Sequence, residues 1–210
     1  MTTPTYLQGY GGTRRTHCAK RLAAELRNNG NKVICTSYTH MAAQNIAVPG
    51  CNNGTLHHCL HKNRGFRGYA IIDEVSQIPL VLWAAILKWQ LSGARFIMLG
   101  DFRSQFGPAF NLWRQQHAQG NVEDAQFFMR LCNYNRVNFT TYRRGNNLQF
   151  FKLYTGMVGM PVDTCVRHAL DKFPQKEGNP TWSLTVSNSQ RRRLNKQIND
   201  EMYGGDGLWI

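Results

Sequence analysis

Five short apolar runs, at residues 4–8, 32–36, 69–73, 95–99 and 136–140, alternate with stretches whose apolar positions recur at helical spacing. The clearest of these stretches spans residues 16–29. Ala19, Leu22, Ala23 and Leu26 follow the i, i+3, i+4, i+7 pattern, Lys20, Arg21, Glu25 and Arg27 face away, and Gly30 stops the helix. Further helices are predicted over 39–47, ended by Pro49-Gly50, from about Thr55, from Pro79 to about residue 91, and over 122–132 and 148–157. Strands that alternate with helices predict an α/β fold with a parallel sheet.

After residue 172 the pattern thins. Residues 173–181 are poor in apolar side chains and contain Pro174, Gly178 and Pro180, which reads as a linker. A strand over 183–187 and a helix over 190–202 begin a new element, and thirty residues are too few for an independent domain. The expected organisation is therefore a first domain at 1–172, a linker at 173–181 and the start of a second domain at 182–210.

Composition narrows the class. Hydrophobic residues make up 42% of the 210, no apolar run is long enough to cross a membrane, and residues 2–8 read as a strand rather than a secretory signal. The default location is intracellular, without separating nucleus from cytoplasm. Twenty-five Lys and Arg against twelve Asp and Glu give a net charge of +13, which favours a polyanionic partner such as nucleic acid over a membrane. The six cysteines form no CxxC pair and read as reduced thiols. Cys51, His57, His58, Cys59 and His61 are zinc-ligand types in no standard spacing, and a His/Cys-rich helical turn accounts for the same residues.

Two apolar runs deliver acids together: one ends in Asp73-Glu74, the other in Gly100-Asp101 followed by Gln105. In open α/β sheets ligands bind at the carboxyl ends of strands, so this spacing predicts a metal-assisted site. The run at residues 4–8 leads into Gly9-Tyr10-Gly11-Gly12-Thr13-Arg14-Arg15-Thr16, the frame of a loop whose glycines let backbone N–H groups approach phosphate at a helix amino terminus. A glycine-rich turn joining strand to helix has the same look, and acids after a buried strand also cap helices.

In order, GYGGTRRT, CTSYTHMAAQNI, TLHHCL, AIIDEVSQ, MLGDFRSQFGPA and TYRRG resemble motifs I, Ia, Ib, II, III and IV of superfamily 1 helicases, closest to the RecD-like branch. The resemblance runs from residue 5 to about 200 and implies a RecA-like P-loop NTPase fold, a parallel sheet flanked by helices on both faces. It implies an ATP-dependent DNA helicase with ATP and Mg2+ as cofactors. Gly9, Gly11, Gly12, Thr13, Arg14, Arg15 and Thr16 would form the nucleotide loop. Thr16 and Asp73 would hold magnesium, and Glu74 would act on the attacking water. Gln105 resembles the γ-phosphate sensor, and Arg143, with Arg144 as its rival, the motif IV arginine. Thr36, Thr39, His40, Thr55 and His57 are similar to positions that touch single-stranded nucleic acid, DNA being favoured over RNA.

The loop departs from GxxxxGK[ST], because Arg14 and Arg15 stand at its glycine and lysine positions. A side chain at the glycine position obstructs close approach to phosphate, and a guanidinium does not replace an ammonium in a tight site. Impaired activity follows, since one misplaced charge costs on the order of 10²-fold in rate. The chain resembles a first motor domain plus the opening of a second. The alternatives are a catalytically inactive, helicase-derived nucleic-acid-binding protein and a viral superfamily 1 RNA helicase.

Overall fold

All five apolar runs of the first 140 residues become strands, and they run in one direction. The computed structural model describes residues 3–103, 122–174, 183–185 and 187–204. Strands β1 (Thr5–Gly9), β2 (Val33–Ser37), β4 (Gly68–Asp73), β5 (Ala94–Gly100) and β6 (Arg136–Phe139) are joined by a further strand, β3 (Asn52–Thr55), in the order β3-β2-β4-β5-β1-β6. Every pairing is parallel, so Gly9, Ser37, Thr55, Asp73, Gly100 and Phe139 end at one edge of the sheet.

Helices cover both faces: α1 (Arg15–Asn28), α2 (His40–Ile46), α3 (Leu56–Lys62), α4 (Leu80–Leu91), α5 (Gln126–Leu131) and α6 (Leu148–Gly156) belong to the same unit as the sheet. Two more helices come later in the chain, α7 (Val162–Lys172) and α8 (Asn188–Tyr203). Successive strand side chains point to opposite faces, and two cores result. Ile34, Ala70, Ile72, Phe96 and Met98 pack with Trp83, Ile86 and Trp89 of α4 and with Phe128 of α5. Val33, Cys35, Ile71, Ile97 and Leu99 pack with Ala19, Ala23 and Leu26 of α1. Strands buried on both faces read as unbroken apolar runs, which is why the sequence pattern shows them so clearly.

Three elements differ from expectation. Strand β3 is NNGT, with no apolar residue to announce it. It forms because β2 offers a ladder and because the Asn53 side chain accepts from Val48 N at 3.0 Å and donates to Val48 O at 2.8 Å. The helix expected over 122–132 is divided into a 3-10 turn, Val122–Asp124, and α5, with Ala125 extended between them. There Glu123 is drawn aside to Arg136, 2.9 Å away, whose guanidinium also lies 5.3 Å from the Tyr6 ring centre. Residues 183–185 are not in a strand, and no neighbouring strand among the described residues offers them a ladder.

The chain divides into two compact units, Met1–Gly159 and Met160–Ile210. The sheet and the first six helices form the first. The second holds α7 and α8, the latter capped by the Ser187 hydroxyl accepting from Gln190 N at 3.2 Å and ended by Gly204 in the left-handed region. Most of the expected linker, residues 175–181, lies outside the described residues. Among the described residues no helix is long and apolar enough to cross a membrane.

Trp83 anchors the α4 face of the sheet. It is 2% exposed, meets Phe128 edge-on at 5.6 Å, and its indole N–H has no partner among the described residues. Trp83→Ala is expected to cost about 3–5 kcal/mol. Trp83→Phe is expected to cost less than half of that, because no indole hydrogen bond is lost. Equal losses for the two variants in chemical denaturation would contradict this account of the core.

Candidate functional site

The carboxyl edge gathers what the sequence scatters. From β1 the chain turns through residues 10–14 into α1, and Gly9 and Gly12 are sterically required. A Cβ on Gly9 would lie 2.6 Å from Phe139 O, and one on Gly12, which has φ +88°, would lie 2.6 Å from the Tyr142 ring. The Thr13 hydroxyl donates to Tyr10 O at 2.8 Å and tightens the turn. From the far side the carbonyls of the loop are taken up: Arg143 N donates to Gly12 O at 2.8 Å, and the Tyr154 hydroxyl donates to Gly11 O. The first-turn N–H groups of α1 have no intrahelical partner, and the helix has no side-chain cap.

Thr16 and Asp73 meet although their strands are not neighbours. Strand β5 lies between β1 and β4, and α1 carries Thr16 across it, so that its hydroxyl donates to Asp73 Oδ2 at 2.8 Å. Asp73 Oδ1 accepts from Glu74 N at 2.9 Å. Asp73 is buried, and the Ser37 hydroxyl donates to its main-chain oxygen at 2.8 Å. Arg15 is 7% exposed, and its Nη1 is buried with no hydrogen-bond partner among the described residues.

Two non-glycine residues adopt left-handed backbone here: Arg14 with φ 63° and Glu74 with φ 54°. Such conformations cost on the order of 1–3 kcal/mol and gather at functional sites. Arg14 Nε donates to Arg143 O at 3.1 Å, tying the loop to the segment after β6. A cleft of about 750 Å³ opens over this group, lined by residues 10–16 together with Glu74, Arg143 and Arg144. Lys20 and Arg21 of α1 add positive charge to its wall.

The donor set fits a nucleotide phosphate chain and a divalent cation. The orphaned Arg15 Nη1, the unpartnered first-turn N–H groups and the flanking arginines suit an anion. Thr16 and Asp73 offer hard oxygen ligands. Glu74 stands one residue beyond Asp73 on the cleft wall.

The other expected residues divide. Gln105 lies outside the described residues. Thr39 and His40 are exposed at the start of α2, where Thr39 Oγ1 accepts from Ala42 N at 3.3 Å. Thr55 ends β3, and His57 is exposed on α3 with its ring 5.8 Å from Tyr38. They share an edge because Ser37 and Thr55 are register partners, and none of them lines the cleft. Thr36 is fully buried and reaches neither. Asp101 is buried and accepts from Arg103 N at 3.1 Å, away from the cleft lining. Tyr142 and Tyr154 brace the loop without any signal in the sequence, since their contacts with Gly12 and Gly11 span more than a hundred residues.

Comparison with known proteins agrees with this geometry. The profile of the AAA domain matches residues 2–108. No curated protein sequence matches significantly. Among solved structures, the Pif1 helicase from Candida albicans has a TM-score of 0.61 at 17% identity, covering 95% of this chain and 51% of that chain. Bacteroides Pif1 bound to ssDNA has a TM-score of 0.63 at 16% identity, covering 97% and 54%. The chain thus spans about half the length of these two. At these identities the likeness concerns the fold, an α/β P-loop NTPase fold of the RecA-like type.

Burial raises the Asp73 carboxyl above its ordinary value of 3.8, against the lowering effects of the Thr16 hydroxyl, the Glu74 N–H and Arg15. The folded protein then holds this proton more tightly than the unfolded chain does. Metal-free stability from this group is therefore highest in acid and falls as pH rises from the ordinary value through the raised one. In Asp73→Asn the amide oxygen still accepts from Glu74 N, and its NH2 can donate to the Thr16 hydroxyl. In chelator-treated protein this variant is expected to melt above wild type at neutral pH, the gain vanishing as pH falls through the carboxylate range. A gain independent of pH would show that charge burial is not its source.

Proposed function

We propose that this chain, which belongs to the AAA domain family, is the nucleotide-binding motor unit of a superfamily 1 DNA helicase of RecD-like type, with a nucleotide loop weakened by Arg14 and Arg15. The carrying observation is the hydrogen bond between Thr16 and Asp73, which unites the phosphate loop with the acidic strand end beside Glu74. Bound ATP with Mg2+ would supply the phosphoanhydride to be hydrolysed and a cation to neutralise developing charge.

The residues of this chain would divide the work. Backbone N–H groups at the start of α1, with Arg15, hold the phosphate chain. Thr16 Oγ1 and Asp73 hold the cation, and a metal here also offsets the desolvation of the buried Asp73 carboxylate. Glu74 orients the attacking water and accepts its proton on a carboxylate oxygen. Arg143, or Arg144 beside it, supplies the positive charge at the outer end of the cleft. Single-stranded DNA would lie along the adjoining edge, past Thr39, His40, Thr55 and His57. The fold shared with Bacteroides Pif1 bound to ssDNA supports DNA as the strand.

Arg14 narrows what the loop can do. Its left-handed backbone is one that glycine adopts freely, and its guanidinium is spent on Arg143 O. The double variant Arg14→Gly with Arg15→Lys is expected to raise both affinity for a fluorescent ATP analogue and DNA-stimulated phosphate release. Glu74→Gln should keep nucleotide binding and lower turnover on the order of 10²-fold or more. Hydrolysis undiminished in Glu74→Gln would overturn the assigned role. No hydrolysis in either wild type or the double variant, with single-strand binding intact, would favour the inactive binding protein.

A further inference from the structure

The sheet has a second charged edge, opposite the nucleotide cleft. At the amino ends of β2, β3 and β4, a cleft of about 710 Å³ is lined by Arg27, Lys32, Lys62, Arg64 and Arg67. Among the described residues no carboxylate lines it, and residues 26–72 contain neither Asp nor Glu. Two of these cations are committed locally: Arg27 to Asn28 and Pro49 O, and Arg67 Nε to Ser92 O at 3.1 Å. The side chains of Lys32, Lys62 and Arg64 are exposed and have no hydrogen bond or ion pair among the described residues. Asn31, Asn52 and Asn63 lie between the charges, Asn52 donating to Asn63 Oδ1 at 2.8 Å.

The geometry points to a second nucleic-acid contact at this edge, a cleft that holds the phosphate backbone of a strand away from the nucleotide. The cations come from different elements: Lys32 precedes β2, Lys62 ends α3, and Arg64 lies in the turn after it. Charges spread over separate elements match an extended polyanion better than a single small anion. Lysine and arginine with interspersed asparagine amides are the usual donors to phosphate and sugar oxygens. Unpaired cations on a surface without acids gain from counterion release when such a backbone binds. With one contact surface on each edge, the unit could hold two segments of nucleic acid at once. This inference does not depend on the nucleotide reading.

Anisotropy of a labelled oligonucleotide, measured without nucleotide across a salt series, tests it. The triple variant Lys32→Ala, Lys62→Ala, Arg64→Ala is expected to lose about tenfold or more in affinity and to flatten the slope of log affinity against log salt by about 2 to 3. A control of equal charge change, Arg130→Ala, Lys152→Ala, Lys172→Ala, alters exposed positions outside this cleft and should lose much less. The charge-keeping variant Lys32→Arg, Lys62→Arg, Arg64→Lys should retain wild-type affinity, which separates charge from folding. Equal losses in the two alanine triples would reduce the effect to net charge and overturn the site. Equally strong competition by polyglutamate at matched charge would overturn nucleic acid as its ligand.

Discussion

One hydrogen bond, from the Thr16 hydroxyl to the Asp73 carboxylate, fixes how the two halves of the site meet. Thr16 belongs to the first turn of α1 and Asp73 to the end of β4, with β5 between their strands. The bond requires α1 to lie across the sheet at one height. That placement is secured far from the site, where Ala19, Ala23 and Leu26 sit on Val33, Cys35, Ile71 and Leu99. A bulky side chain in place of Ala19 or Ala23 would lift the helix and carry Thr16 away from Asp73. Core packing and site geometry are therefore one constraint seen at two ends of a helix.

What was legible in the sequence follows from burial. Strands covered on both faces must be apolar throughout, so β4 and β5 stood out, and the acids that follow them lie at the edge where the cleft opens. Strand β3 was invisible because its residues are polar and its stability comes from the β2 ladder and the Asn53 side chain. Helix α5 was overextended because helical spacing continued through 122–132, whereas Glu123 is held by Arg136, a partner no local pattern reveals. The bracing of the loop by Tyr142 and Tyr154 was illegible for the same reason. Thr36 shows the converse: a motif position expected to touch nucleic acid is a fully buried strand residue.

Charge is distributed with similar economy. From residue 26 to residue 100 the only acids are Asp73 and Glu74, both at the carboxyl edge, among seven Lys and Arg. A positive field over the whole unit would draw any polyanion toward it, and the two carboxylates bring local negative charge to one place, where a cation is needed. The amino edge has no such interruption. The same composition thus produces a cleft suited to phosphate with metal on one side of the sheet and a cleft suited to phosphate alone on the other.

Arg14 is where local and global demands conflict. The loop needs a left-handed residue at this position, and glycine would supply it without strain. Arginine adopts it at a cost, and part of that cost is returned by its bond to Arg143 O, a contact glycine could not make. That bond joins the loop to the segment carrying Arg143 and Tyr142, which also closes over Gly12. Arg14 therefore ties the loop to the residues at the outer wall of its cleft. The loop is thus held from its outer side by Arg14 Nε on Arg143 O and by Arg143 N on Gly12 O, while Arg14 and Arg15 still line the cleft.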